Sequence, residues 1–512
     1  MQQLEIVRGA YYDSVTLMLV AKELNKLDGV ASSSLSMGTE ANYKIMTGGG
    51  FDLSGTDASP ADLIIGVQGE DEEVLRNALV LAKDYLANPP WKKNTGPSDY
   101  RPKSLDGAVS ILPEANIAIV SVAGQYAADI ASDCLQKGLN VMIFSDNVPL
   151  EREIELKKQA TERGLLVMGP DCGTVIIRGK ALGMANVCPV GPVGIVAAAG
   201  TGLQEVHVQL ERRGVGTLHG IGTGGRDVKA DVGGIMVLAG MEALLADEEI
   251  EVLLVVGKPP AKEVEDRILS LARTSKKPVV LGFVGGSARG DESPLYLCTE
   301  LEESAAVTAA LVGKALPAEA RNALKKETEA LVAQAVLKIG KRKGFLRGLY
   351  SGGTLCYEAQ LIASEKLGPI WSNAPLRKEM QLEDSLKSKG HCIVDYGEDE
   401  FTQGKLHPMI DVSFRCERIL AEARDEGVGV VLLDVVLGYG CNEDPAGALA
   451  EAVLEAKRIS GGRIAFVASI CGTDADPQNA SAQKKKLEDV GVFVCDSNAK
   501  AVHLAAALID GR

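Results

Sequence analysis

Gly194-Ile195-Val196-Ala197-Ala198-Ala199-Gly200-Thr201-Gly202-Leu203-Gln204-Glu205 reads as a short aliphatic strand, a turn of small residues, and a helix that begins at the turn. About 150 residues later the pattern returns as Gly348-Leu349-Tyr350-Ser351-Gly352-Gly353-Thr354-Leu355-Cys356-Tyr357-Glu358. Glycine lets a ligand approach the backbone closely. The unpaired N–H groups and the positive dipole end of the following helix attract an anion. One such loop also serves plain strand–helix packing in many α/β proteins. Two of them, each followed by further strand–helix alternation, point to two related α/β domains that face one anionic ligand.

Working outward, the flanking segments keep the α/β rhythm. Strands are expected at 116–122, 140–144 and 165–168, with helices at 126–137 and 150–163 between them. This βαβαβ order implies a parallel sheet with right-handed crossovers. After the first cradle come strands at 217–221, 252–256 and 279–284. After the second come strands at 430–434, 463–469 and 492–495 and a helix at 446–458. Residues 1–95 alternate strand and helix on a smaller scale, with Asp13 and Ser14 capping the first helix. Asn88-Pro89-Pro90 through Pro102 reads as a linker. Residues 315–343, rich in Lys, Glu and Ala, read as a helical connector.

Composition narrows the function classes. Of 512 residues, 46% are hydrophobic but only 4% aromatic, which suits parallel sheets built on aliphatic runs. A net charge of −15 disfavours nucleic acid or a membrane surface as partner. The ten cysteines form no CxxC pair, so no metal site is assigned, and a reducing compartment is expected. No signal-like N-terminus and no run of 18 apolar residues is present, so a cytoplasmic location is expected.

Several stretches carry a family resemblance. Gly169-Pro170-Asp171-Cys172-Gly173 and Gly200-Thr201-Gly202 resemble turns of succinyl-CoA synthetase α subunits. Tyr12-Asp13-Ser14-Val15-Thr16-Leu17-Met18, Phe144-Ser145-Asp146-Asn147-Val148, Gly224-Gly225-Arg226-Asp227, Lys258-Pro259-Pro260 and His407-Pro408-Met409-Ile410-Asp411 extend the likeness over nearly the whole chain, which resembles the FdrA family. The resemblance implies a multidomain α/β fold. It has a small N-terminal α/β domain (1–95), a Rossmann-like, degenerate CoA-binding-type domain (96–187) and a flavodoxin-like domain similar to the second domain of the α subunit (188–315). The helical connector (316–343) and a flavodoxin-like domain similar to the C-terminal domain of the β subunit (344–512) complete it.

The same resemblance implies where the chain departs from the synthetase. The loop that carries the synthetase's phosphorylated His reads Gly285-Gly286-Ser287-Ala288-Arg289-Gly290-Asp291 here, with no His. A serine hydroxyl cannot form a phosphoramidate. The supporting Glu is replaced by Lys258. The opening Gly-rich loop of the CoA domain and the ATP-grasp half have no counterpart, and no Walker A sequence occurs. No cofactor is therefore assigned, and CoA binding is not expected.

What remains is an anion clamp. Gly200, Thr201, Gly202, Ser351, Gly352, Gly353 and Thr354 are the candidate phosphate-binding residues. Arg226, Lys258 and His407 are the candidate catalytic residues, two to grip an anion and one to donate a proton. Asp395-Tyr396-Gly397-Glu398-Asp399 is an acidic loop suited to a substrate amine or a partner. His207, His219, His391, His503, Cys172 and Cys471 read as structural. The FdrA resemblance implies one subunit of an oxamate carbamoyltransferase complex in anaerobic allantoin breakdown, with phosphate or carbamoyl phosphate as substrate and other subunits as partners. An acyl-CoA synthetase and a non-catalytic anion-binding scaffold stand as alternatives.

Overall fold

The computed structural model describes all residues except 11, 13, 61, 91–101, 103, 287–289, 404 and 510–512. The cap expected at Asp13, most of the expected linker, and Ser287 lie outside the described residues. The chain divides into two compact units: Met1–Ala115 with Ser121–Tyr126 and Asp399–Leu406, and the remainder.

The first unit contains β1 (Gln2–Val7), α1 (Ser14–Leu24), β2 (Val30–Met37), α2 (Glu40–Gly48), β3 (Leu63–Gly69), α3 (Glu72–Ala87) and α4 (Leu105–Ile111). The three strands form an antiparallel sheet of order β1-β3-β2. Alternate burial along β2 puts Leu35 and Met37 on the side covered by α1 and α3, where Leu17, Val20, Leu75 and Leu79 complete the core. Asp71 caps α3 by accepting hydrogen bonds from Glu73 N and Val74 N.

The second unit opens with a three-stranded parallel sheet, β4 (Ile117–Val120), β5 (Asn140–Ile143) and β6 (Val167–Met168), connected through α5 (Gly124–Gln136) and α6 (Leu150–Glu162). Next come β7 (Thr174–Ile177) and β8 (Lys180–Gly183), a hairpin whose turn places Arg178 and Gly179 at positive φ. The sequence reading grouped residues 174–183 with the 96–187 domain. In the structure β7 pairs antiparallel with β10 (Thr217–Gly222), so the hairpin extends the following sheet and buries Val175 and Ile176 in its core.

That sheet also holds β9 (Val193–Ala197), β11 (Val252–Gly257), β12 (Val279–Phe283) and β13 (Leu295–Cys298), in the order β13-β12-β11-β9-β10-β7-β8. α7 (Gly200–Glu211), α8 (Ile235–Ala246), α9 (Lys262–Arg273) and α10 (Leu301–Val312) provide the crossovers and cover. β9, β11 and β12 are buried along their full length, as expected of parallel strands covered on both faces.

α11 (Pro317–Ile339) leads to β14 (Phe345–Tyr350), α12 (Gly353–Leu367), β15 (Cys392–Asp395), α13 (Asp399–Thr402), α14 (Ser413–Arg424), β16 (Val428–Val436), α15 (Pro445–Ile459), β17 (Ala465–Cys471), α16 (Ala480–Asp489), β18 (Phe493–Cys495) and α17 (Asn498–Leu508). The last sheet is wholly parallel, in the order β15-β14-β16-β17-β18. Numbered within each domain, the five parallel strands of both sheets run 2-1-3-4-5, the flavodoxin-like order. No helix among the described residues is long and apolar enough to cross a membrane.

This order decides where a ligand goes. The chain leaves β9 through α7 to β10 on one side and later returns to β11 on the other. It leaves β14 through α12 to β15 and returns to β16. Both cradles therefore sit at the carboxyl ends of strands where the winding reverses, the crevice that doubly wound sheets offer to ligands.

Candidate functional site

Although the starts of α6, α8, α9, α10, α11 and α14 also lack a side-chain cap bond, several helix starts are closed by their own side chains: Asp444 caps α15, Asn479 caps α16 and Ser497 caps α17. The two cradle helices are not. α7 follows Ala199 and α12 follows Gly352, neither of which has a side-chain acceptor. The first intrahelical bonds are Leu203 N to Ala199 O at 3.0 Å and Cys356 N to Gly352 O at 2.8 Å. Among the described residues, the amides of Gly200, Thr201 and Gly202 on one helix, and of Gly353 and Leu355 on the other, meet no protein acceptor. Unpaired amides at a helix start are the donors an anion uses.

The two starts face each other. Thr354 N lies 3.4 Å from Thr201 Oγ1. A Cβ on Gly352 would come within 2.9 Å of Thr201 Cγ2, so only glycine fits where the helices meet. The structure thus brings Gly200, Thr201, Gly202, Gly353 and Thr354 together.

Ser351 and Gly352, also assigned to the anion, are already engaged. Asp434, fully buried near the end of β16, accepts Ser351 N at 2.8 Å, Gly352 N at 2.8 Å and Ser351 Oγ at 3.0 Å. Arg415 of α14 neutralises this carboxylate at 2.9 Å and donates to Leu349 O and Asp434 O. A built-in carboxylate therefore fills the loop half of the second cradle. The helix half, from Gly353 onward, stays open. Asp434 was legible only as a lone acid in the aliphatic run Val430–Asp434.

Lys258 follows β11, and its Nζ stands 5.1 Å from the centre of the Tyr357 ring on the second turn of α12. Among the described residues no carboxylate lies within ion-pair distance of it, although its charge reaches Asp395. Asp395 ends β15 and is 3% exposed. Its Oδ1 accepts Gly397 N at 2.9 Å. Its Oδ2 lies 2.8 Å from where a Gly353 Cβ would be, at the start of α12. Burial, reinforced by the charge of Glu398, pushes this carboxyl up to about 7 against the opposing Gly397 N–H and Lys258. From the sequence, Asp395 reads only as part of an acidic loop suited to a substrate amine or a partner.

His407 borders the same place. Its Nε2 and Asp395 Oδ1 lie 2.8 and 3.1 Å from the position a Gly397 Cβ would take. His407 Nδ1 accepts Met409 N at 3.2 Å, which leaves the proton on Nε2. Burial, aided by the Arg415 charge, pulls the imidazole down to about 4. At neutral pH it is an uncharged hydrogen-bond donor and not an imidazolium acid.

Arg226 is placed differently from the sequence expectation. Its Nε lies 2.8 Å from Glu153 Oε2, and its Nη2 donates to Val148 O at 2.8 Å. Through Nε and Nη2 the guanidinium braces α6, while the side chain as a whole stays 43% exposed. It caps a dry network in which Lys157 Nζ donates to Glu153 at 2.7 Å, Asp227 at 2.9 Å and Thr223 O at 3.0 Å. Asp227 in turn accepts Val237 N at 2.7 Å near the start of α8.

Cys172 donates to Gly222 O, and burial pushes its thiol up to about 12. His207 shares a buried hydrogen bond of 2.9 Å with Thr217 Oγ1.

Three family models match the chain: CoA-ligase over residues 349–508, CoA binding domain over 191–285, and AllF, heavy metal-associated domain over 1–102. Residues 1–102 contain neither Cys nor His, the side chains a soft metal prefers. YahF of Escherichia coli (strain K12), an uncharacterized protein, is 38% identical over 504 residues, which is 98% of this chain and 97% of YahF. Subunit alpha 2 of the ADP-forming succinate–CoA ligase of Archaeoglobus fulgidus is 29% identical over 178 residues, 34% of this chain and 60% of that subunit. Among solved structures, the dinucleotide-forming acetyl-coenzyme A synthetase 1 of Ca. Korarchaeum cryptofilum is 13% identical with a TM-score of 0.28, covering 77% of this chain and 82% of that one.

Proposed function

Because the chain belongs to the FdrA family of succinyl-CoA synthetase-like proteins, the one that includes YahF, we propose that it seats an acyl phosphate between its two cradle helices and serves as a subunit of an oxamate carbamoyltransferase. The observation that carries this reading is the pair of uncapped helix starts facing each other beside an unpaired lysine. The amides of Gly200, Thr201, Gly202, Gly353 and Leu355 hold the phosphoryl oxygens, and Lys258 offsets their charge. Arg226 supports the first cradle from behind through Glu153.

In the catabolic direction a phosphate oxygen attacks the carbamoyl carbon of oxalurate. A C–O bond forms, the C–N bond to oxamate breaks, and the leaving nitrogen takes a proton. Negative charge gathers on the carbonyl oxygen in between. His407, neutral with its proton on Nε2, is suited to donate a hydrogen bond there, as preorganised donors do. No covalent enzyme intermediate is required, and positioning supplies most of the rate.

The matches to CoA-ligase and CoA binding domain models favour a second reading, an acyl-CoA synthetase. The full chain, co-purified with its complex partners, separates the two. Phosphate-dependent cleavage of oxalurate supports the transferase. ADP formation that requires both ATP and CoA, with no oxalurate cleavage, refutes it.

A further inference from the structure

Asp395 is set in an unusual position for a site that takes anions. Its carboxyl is buried at the start of α12, where a phosphoryl group would sit, and its Oδ2 has no hydrogen-bond partner among the described residues. A structural carboxylate would have its oxygens satisfied, as Asp434 does two strands away with two amides, a hydroxyl and Arg415. Asp395 has one amide on one oxygen, and its other oxygen faces the first residue of α12, 2.8 Å from where a Gly353 Cβ would be.

The groups facing Asp395 sharpen the conflict. Lys258 beyond β11 attracts a negative charge there. Asp434 on β16 and Glu398 in the following loop repel it. His407 is neutral, and the Cys356 thiol on α12 and the Tyr350 hydroxyl on β14 are held protonated by burial. With a dianion added at the helix start, a second full charge on Asp395 has no compensating partner, and like charges in one dry site do not both persist.

We propose that Asp395 is the proton-carrying residue of this site: an anion bound against the start of α12 takes up one proton onto Asp395, and that proton is the one handed to the leaving nitrogen. This deepens the phosphate-seat reading and rests on it. The balance closes. Hydrogen phosphate forms the C–O bond to the carbamoyl carbon while Asp395 gives its proton to the departing oxamate nitrogen. The proton of the attacking phosphate then returns to Asp395. The products are the carbamoyl phosphate dianion and the oxamate anion, with total charge unchanged.

Sulfate is the probe, since it stays a dianion across the whole range and any proton taken up comes onto the protein. Its binding to the full chain is measured by calorimetry between pH 6.5 and 8.5 in buffers of different ionisation heat. The expected result is uptake approaching one proton per sulfate at the alkaline end, with affinity falling about tenfold per pH unit there. Asp395→Asn keeps the shape and removes both effects.

Glu358, a turn further along α12, is also pushed up, to about 8, so Glu358→Gln is the control and must retain the uptake. Sulfate that binds the wild type with no proton uptake overturns this proposal and leaves the anion seat standing. Sulfate that does not bind at all overturns both. Should Asp395→Asn fail to fold, the wild-type uptake and the Glu358→Gln control decide alone.

Discussion

Replacing Lys258 by Met keeps a flexible stem over Tyr357 and removes only the charge. No carboxylate among the described residues lies within ion-pair distance of Lys258, and Asp395, the buried carboxyl its charge reaches, holds a proton below about pH 7, so in mildly acidic buffer stability should change by less than about 1 kcal/mol, the size of an exposed cation–π contact. Anion binding should change far more. A hydrogen bond to a charged group contributes about 1.5–3 kcal/mol net, which corresponds to about 10- to 150-fold in Kd. The amides of Gly200, Thr201, Gly202, Gly353 and Leu355 remain, so binding weakens without vanishing. Titration calorimetry with phosphate on wild type and Lys258→Met reads the ratio. Lys262→Met, which breaks only a surface pair with Asp266, is the matched control and should bind as the wild type does. A Lys258→Met ratio below about twofold, with the fold intact, would refute the placement of the anion at these helix starts.

Further outcomes follow from the buried charges. Lys157→Met leaves Glu153 and Asp227 without their shared ammonium. Losing one partner of a buried ion pair costs about 3–5 kcal/mol, and the lower end is expected because Arg226 and the α8 amides stay in place. A urea-unfolding loss under about 1 kcal/mol would show that this network is wet. Glu358 holds its proton up to about pH 8 in the native state, while the unfolded chain releases it near 4.5. The native state therefore binds more protons across that window, and stability falls as pH rises through it. The slope should flatten in Glu358→Gln, and an unchanged slope counts against a buried neutral carboxyl. Nitrogen NMR of His407 should show a neutral ring protonated on Nε2 from pH 8 down to about 5, with titration only near 4. A midpoint near 6.5 would place the ring in solvent.

The sequence by itself determined the layered α/β class and the position of both strand–turn–helix cradles. These depend on local patterns: buried aliphatic runs for parallel strands, and small residues that leave a helix start uncapped. It did not determine which cradle amides remain free, because Asp434 reaches Ser351 and Gly352 only once β16 lies beside β14. Nor did it reveal that Arg226 turns back to Glu153, a choice made by the packing of α6 against the turn after β10. Nor does it show that the hairpin at 174–183 extends the sheet that follows it, because strand pairing is set by the core a strand finds, not by its own residues. Asp395 shows the limit most clearly. In the sequence it opens an acidic loop suited to a substrate amine or a partner. Only the tertiary structure takes its carboxyl out of water and sets it against the start of α12, where burial pushes it up to about 7.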